Sequence, residues 1–395
     1  MMYEEIKKSF SACFGRPARY VFSAPGRTEL GGNHTDHQLG RVLAGAVSVD
    51  TLAAVSPNDE RLIRVQSEGY PLCTLSLKEL EIRPAEFGST LSLIRGVAAR
   101  ISQLGHKLSG FDAFVTSRVL PGSGLSSSAA FEVLLGTVIN TLDHCGLSAI
   151  EIAQIGQYAE NVYFGKPCGL MDQMASSVGG IVTIDFADAA NPIVEPLDFD
   201  FASCGHALCI VNSGADHADL TDEYAAIPRE MKAVCAVFGK EHLREVDESE
   251  FYTRLKEVRA AAGDRAALRA MHIFDDNRRV AQQVEALKAN DFARFLKLVN
   301  ESGRSSWLYL QNVVPTGNTR HQELALSLAL AARLLQGRGA CRVHGGGFAG
   351  TIQAFVPLDL LDSFRRGMEA VLGEGSCQVL SIRPQGGVLL EEVQA

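Results

Sequence analysis

The spacing of apolar residues changes repeatedly along the chain, and each change marks an element. Ile6, Phe10, Cys13 and Phe14 fall on one face of a helix. Tyr20-Val21-Phe22-Ser23-Ala24-Pro25-Gly26-Arg27 reads as a strand that ends in a loop, and Val42 to Val49 reads as the next strand. Segments 61–66 and 72–77 predict further strands. Leu91, Ile94, Val97, Ala98 and Ile101 predict a helix over 90–104, and Phe111 to Val119 alternates as a strand. Residues 129–142 are apolar except for a narrow stripe at Glu132, Thr137, Asn140 and Thr141, the signature of a helix buried on most sides. A second helix from about Ile150 to Phe164 and a strand around Gly180 to Phe186 complete a mixed α/β half.

Helical spacing dominates from 219 to 300, after a short strand at Ala207 to Val211, with Gly263-Asp264 and Asn290-Asp291 as punctuation. A helix over 320–335 stops at Gly337 to Gly339, Thr351 to Val356 alternates as a strand, and a helix over 358–372 precedes two short strands. The pattern predicts an α+β chain of two domains, 1–203 and 204–395, with no internal repeat or low-complexity tract.

Composition narrows the class. With 395 residues and 46% apolar content the chain can bury a large core. A formal net charge of −9, with Lys and Arg spread rather than clustered, argues against nucleic acid or an anionic membrane as partner. Residues 1–20 show no secretory pattern, and no apolar run is long enough to span a bilayer. The nine cysteines are scattered and never form a C-x-x-C pair. They read as small buried hydrophobes in a reducing compartment, so a cytoplasmic location is expected.

The densest chemistry lies at Pro121-Gly122-Ser123-Gly124-Leu125-Ser126-Ser127-Ser128-Ala129-Ala130. Gly122 and Gly124 let the backbone turn sharply and approach a ligand, and the three serines offer hydroxyls and N-caps where a helix begins. A helix N-terminus carries free N–H groups and partial positive charge, which suits a phosphate. No lysine follows the glycines, so this is a different loop from G-x-x-x-x-G-K-[ST].

Three more segments share this character: Ala24-Pro25-Gly26-Arg27 with Gly32-Asn33-His34-Thr35-Asp36, Pro167-Cys168-Gly169-Leu170-Met171-Asp172-Gln173, and His344-Gly345-Gly346-Gly347-Phe348-Ala349-Gly350. With the serine loop, in this order, they resemble the GHMP small-molecule kinases, and among them most closely the galactokinases. The resemblance runs from about residue 15 to residue 390. It implies a two-domain GHMP kinase fold with the active site between the domains. It implies ATP, Mg2+ and a monosaccharide as small-molecule ligands of a monomer or weak homo-oligomer, and transfer of phosphate to the sugar's C1 hydroxyl. By the same resemblance Asp172 is the base and Arg27 its stabilising neighbour, residues 121–128 hold ATP, and Ser128 and Glu160 hold the metal. Asn33, His34, Asp36, Gly169 and Tyr224 then face the sugar.

The departures bear on the substrate. Asn33 stands where galactokinases usually carry a glutamate that accepts a bond from the C6 hydroxyl, and Thr28-Glu29-Leu30-Gly31 replaces a V-N-L-I type run. A neutral acceptor contributes about 0.5–1.5 kcal/mol against 1.5–3 for a charged one, which predicts about tenfold weaker galactose binding. Losing the charge also admits a sugar with a C6 carboxylate, such as galacturonate. A non-catalytic sugar and nucleotide sensor of the same fold is the other alternative, although a sensor needs no base. His344 and Ala349 replace a threonine and a glycine, and the segment before Leu93 lacks the tryptophan expected near adenine.

Overall fold

The structure, a computed structural model, describes residues 2–119, 124–215, 220–348 and 350–393. An eight-stranded mixed sheet organises the first half, and its central member is the 18-residue strand Arg41–Asn58. One edge of this strand pairs with Tyr20–Gly31; the other pairs with Ile181–Asp185 along its first part and Gly110–Ser117 along its second. Every pairing is antiparallel except that of Leu62–Ser67 with Gly110–Ser117. Cys73–Ser76 lies beyond Leu62–Ser67, and Ile193–Leu197 lies beyond Ile181–Asp185.

Helices Thr90–Gln103, Ser127–Leu142 and Ala149–Tyr158 cover one face of the sheet. Phe22, Val55 and Phe111 from the strands meet Ile94, Val97, Val133, Leu134 and Val138 from the helices in one buried core. The helix Met2–Phe14 turns Ile6 and Phe10 onto Leu52 and Ala54 in a separate cluster. Ala149–Tyr158 begins with a capping box at Ser148 and Glu151, and its end widens into a π turn, Ala159–Phe164.

A second, four-stranded sheet runs Cys377–Leu380, His206–Asn212, Thr351–Pro357, Ala340–His344, all antiparallel. Glu323–Leu335 and Leu361–Leu372 pack on it through Leu324, Leu328, Phe364 and Met368. Between the two sheets lies an apolar seam of Leu30, Leu43 and Ile181 against Leu208, Phe355 and the helix residues Phe292 and Phe295. The Phe355 ring is fully buried, edge-on to Phe201 and Phe295, so Phe355→Ala is expected to cost about 3–5 kcal/mol. The divide at 203/204 falls in the connection between Ile193–Leu197 and His206–Asn212. The last strand, Val388–Glu392, crosses that divide and pairs with Tyr20–Ser23 of the first sheet.

Two irregularities in one strand position the chemistry. The register of Tyr20–Gly31 against its partner shifts between Pro25 and Arg27 and again between Glu29 and Gly31. Such bulges bend a strand and re-aim its side chains. The three residues between them, Arg27, Thr28 and Glu29, sit where the two sheets meet.

Candidate active site

Arg27 is 7% exposed, and its guanidinium donates to a carboxylate and to a backbone carbonyl. Nε donates to Asp172 Oδ1 at 2.6 Å and Nη2 to Asp172 Oδ2 at 2.7 Å, a two-pronged fork. Nη1 donates to the Gly124 carbonyl at 2.5 Å, which ties the fork to the serine loop. Asp172 itself lies in the first turn of the helix Met171–Val178, where the dipole favours a negative charge. Burial works against that charge, but Arg27 and the Ser126 hydroxyl, which donates to Oδ2, hold the carboxyl below its usual range.

Ser126 departs from its expected role. It sits in the left-handed region with φ 63° just before the helix Ser127–Leu142, and its hydroxyl goes to Asp172 rather than to the helix terminus. Among the described residues no side chain caps that terminus. Leu125 is buried among Val47, Val119 and Ala130, and its carbonyl accepts from Arg27 N–H at 3.0 Å. Gly124, at φ 72°, has no room for a Cβ, which would stand 2.2 Å from Thr351 Oγ1. Pro121, Gly122 and Ser123 lie outside the described residues.

Ser128, in the first turn of the same helix, donates to Glu160 Oε1 at 3.2 Å, so the two residues expected at a metal are side by side. Glu160 is buried and also accepts from Gln173 Nε2 at 2.9 Å and Lys166 Nζ at 3.2 Å. Among the described residues no group of three or more His, Cys, Asp and Glu side chains is placed to hold a metal ion. One hydroxyl and one carboxylate fit magnesium, which takes few protein ligands and completes its shell with phosphate oxygens and water.

Arg27, Asp172, His34, Asp36, Gly169 and Tyr224 line one cleft. Gly169 is pressed against Asp36: a Cβ there would stand 1.9 Å from Asp36 Oδ2. The His34 ring lies 5.3 Å, centroid to centroid, from that of Tyr224 in the first turn of the helix Thr221–Val237. Burial first and then the neighbouring His37 push His34 down to about 3, although its bond to the Gly346 carbonyl pulls the other way. The neutral ring therefore donates from Nε2 to Gly346 O at 3.0 Å, and Nδ1 is left as an acceptor.

Of the residues expected to face the sugar, Asn33 is the one that does not line the cleft. It is fully buried behind the cleft, and both ends of its amide are spent inside the protein. Nδ2 donates to Gly345 O at 2.7 Å and Glu29 Oε1 at 3.1 Å, while Oδ1 accepts from Asn312 Nδ2 at 2.8 Å and Ser306 Oγ at 3.3 Å. An amide has no further hydrogen-bonding places to offer a ligand. Contrary to the expectation that it faces a ligand, Asn33 does not line the cleft, whereas its neighbour Glu29 does.

A sequence model of the galactokinase galactose-binding signature matches residues 8–57, and one of the GHMP kinase N-terminal domain matches residues 92–180. The galactokinase of Actinobacillus pleuropneumoniae is 32% identical over 363 residues, 91% of each chain. The chain belongs to the galactokinase family. Lactococcus lactis galactokinase, solved in complex with galactose, superposes with a TM-score of 0.83 at 24% identity, over 99% of this chain and 100% of that one. Methanococcus jannaschii mevalonate kinase superposes at 0.65 with 15% identity, over 94% and 100%. The fold is therefore the two-domain GHMP kinase fold.

Glu29, outside the expected site residues, also lines the cleft, as do His37, Lys166, Cys168 and Met171, and the buried Arg342 and His344 hold Glu29 from within the protein. Glu29 is 2% exposed and paired with Arg342, whose side chain is fully buried on the strand Ala340–His344. Burial pushes the Glu29 carboxyl up, Asp276 and Asp36 push the same way, and Arg342 and Arg27 pull it down. His344 replaces a threonine and works as a neutral ring, kept so by burial and by the charges of Arg27 and Arg342. Its Nε2 accepts from Glu29 N–H at 3.2 Å and lies 3.1 Å from Thr28 Oγ1, so Nδ1 donates to Thr351 Oγ1 at 3.0 Å. A signal for Glu29 exists in the sequence: an acidic residue four positions before a motif site that lacks its usual acid.

Proposed function

We propose that this protein transfers the γ-phosphoryl group of ATP to the C1 hydroxyl of a hexose, with galactose as the substrate. The observation that carries the reading is the Arg27–Asp172 fork, fastened to Gly124 of the serine loop at one end of a cleft that also holds His34, Asp36 and Tyr224. Phosphoryl transfer asks a protein for position and charge more than for covalent help. Asp172 orients the sugar hydroxyl and accepts its proton. Its lowered pKa makes it a weak base, which suits a loose transition state in which the proton leaves late.

Arg27 fixes both oxygens of Asp172 and adds positive charge beside the travelling phosphoryl group. The N-terminus of Ser127–Leu142, which no described side chain caps, offers N–H groups to ATP phosphates. Ser128 and Glu160 would hold Mg2+, which when bound neutralises phosphate charge. His34 Nδ1 and the Asp36 carboxylate accept from sugar hydroxyls, while Gly169 keeps Asp36 in place. Among the described residues no helix is long and apolar enough to cross a membrane.

A screen of ADP release over galactose, galacturonate, N-acetylgalactosamine, arabinose, glucose and mevalonate tests the reading. Release that is greatest with galactose supports it. Sugar binding with no ADP formed would instead support a sensor, and release with mevalonate alone would overturn the sugar assignment.

A further inference from the structure

Glu29 is a charged side chain buried in the cleft wall with one oxygen nearly unused. Oε1 accepts from Arg342 Nη2 and from Asn33 Nδ2 at 3.1 Å. Oε2 has only a 3.5 Å approach from the same Asn33 nitrogen, the weakest contact a hydrogen bond allows. A buried carboxylate oxygen without a full donor is costly, and Glu29 lines the cleft, so this oxygen is the one open to a donor from a ligand.

The position of Glu29 says which part of the ligand that is. Arg27 and Glu29 stand two residues apart on one strand, so their side chains share a face and their Cα atoms lie about 7 Å apart. That is the width of one sugar ring. A hexose whose C1 hydroxyl meets Asp172 beside Arg27 thus presents its opposite edge to Glu29. Asn33, hydrogen-bonded to Glu29 from behind, serves the same corner but has no free position of its own.

We infer that Glu29 is the specificity-determining acceptor for the sugar hydroxyl remote from C1, and that Asn33 acts through it as a positioning residue. The acidic and amide members of the pair have exchanged places relative to the usual galactokinase pattern, in which the amide precedes and the carboxylate follows. The exchange keeps the negative charge at the cleft. It therefore excludes a sugar with a C6 carboxylate and favours one with a C6 hydroxyl, contrary to what Asn33 alone implies.

This inference rests on the proposed sugar kinase activity, and the test separates the two. kcat/KM is measured for galactose, 6-deoxygalactose and galacturonate in the wild type, in Glu29→Gln, in Asn33→Glu, and in the double exchange Glu29→Asn with Asn33→Glu, with the melting temperature and the KM for ATP alongside. The wild type is expected to prefer galactose to both analogues. Glu29→Gln should lose about tenfold in kcat/KM for galactose, through KM, with a gain for galacturonate. The double exchange should recover wild-type preference, and Asn33→Glu alone should not, because it sets two carboxylates together.

If Glu29→Gln folds and its ratio of galactose to galacturonate equals that of the wild type, the inference is overturned. Should that variant not fold, the double exchange decides alone: a folded protein without galactose preference overturns the inference. A wild type that forms no ADP with any sugar refutes the proposed function rather than this inference. Calorimetric binding of the three sugars then supplies the same ratios, and an unchanged ratio in Glu29→Gln overturns the inference as before.

Discussion

Two ion pairs stand two residues apart on the strand Tyr20–Gly31, with opposite polarity. In the first, the strand supplies the cation, Arg27, and the carboxylate of Asp172 comes from a helix and is 29% exposed at its side chain. In the second, the strand supplies the carboxylate, Glu29, and the cation Arg342 comes from the other sheet; neither side chain exceeds 3% exposure. Their carboxyls shift in opposite directions. A full fork from Arg27 and a Ser126 hydroxyl overcome burial at Asp172, whereas at Glu29 burial outweighs Arg342 and Arg27. On the proposed reading, the contrast lets one strand serve two tasks. A base must stay ionised and reach the reacting hydroxyl, while a specificity residue gains from a dry corner in which each hydrogen bond is stronger.

Breaking the first pair should produce the largest effect. Asp172→Asn keeps the shape and the bond to Ser126 but removes proton acceptance, so kcat should fall by about 10²–10⁴ with sugar and ATP binding retained. Wild-type turnover in that variant would remove Asp172 from the mechanism. Next come Ser128→Ala and Glu160→Ala, which should raise the magnesium concentration needed for half-maximal rate and leave nucleotide-free sugar binding unchanged. Magnesium titrations that match the wild type in both would place the metal elsewhere.

Gly169→Ala sharpens the comparison from the sugar side. The new Cβ would meet Asp36 Oδ2 at 1.9 Å, and a carboxylate is the flexible end of its side chain, so Asp36 turns aside rather than the backbone. The expected result is a higher KM for the sugar with an unchanged melting temperature; an unchanged KM would show that Asp36 does not contact the sugar. The smallest effect is a shift in pH dependence. Asp172 acts ionised, so activity is lost as pH falls through its depressed pKa, and the Ser126 donor is one of the groups that depress it. Ser126→Ala should therefore move the acidic limb of kcat/KM upward. A limb that stays put would show that the serine does not tune the base.

Much of this cleft is legible in the amino-acid sequence. Arg27, Gly124, Ser128, Glu160, Asp172 and the His34-Thr35-Asp36 run are found at one place because each lies in a short segment with its own backbone demand: a glycine turn, a helix start or a strand end. The roles within the Glu29–Asn33 pair are not legible. Which of two touching side chains faces the ligand depends on Asn312, Ser306, Gly345 and Arg342, all some 270 residues or more away in sequence. The same cause hides the strand Ala340–His344, whose buried Arg342 and His344 break the apolar alternation that marks a strand. Ile193–Leu197 is short, exposed at Ile193, Glu195 and Pro196, and carries that proline as edge strands do. The helix Met171–Val178 is masked by the glycine-rich motif that runs into it, although Met171, Met174 and Ala175 have helical spacing. Nothing local announces that Val388–Glu392 returns to the first sheet.

The central claim is phosphoryl transfer to the C1 hydroxyl of galactose at the Asp172 end of the cleft. Phosphorus NMR of the wild-type protein with ATP, magnesium and galactose tests it most directly. The account predicts ADP and a sugar phosphate in equal amounts, with the sugar phosphorus coupled to the anomeric proton. Galactose bound without any ADP formed, or a phosphorus coupled to the C6 protons, would contradict it.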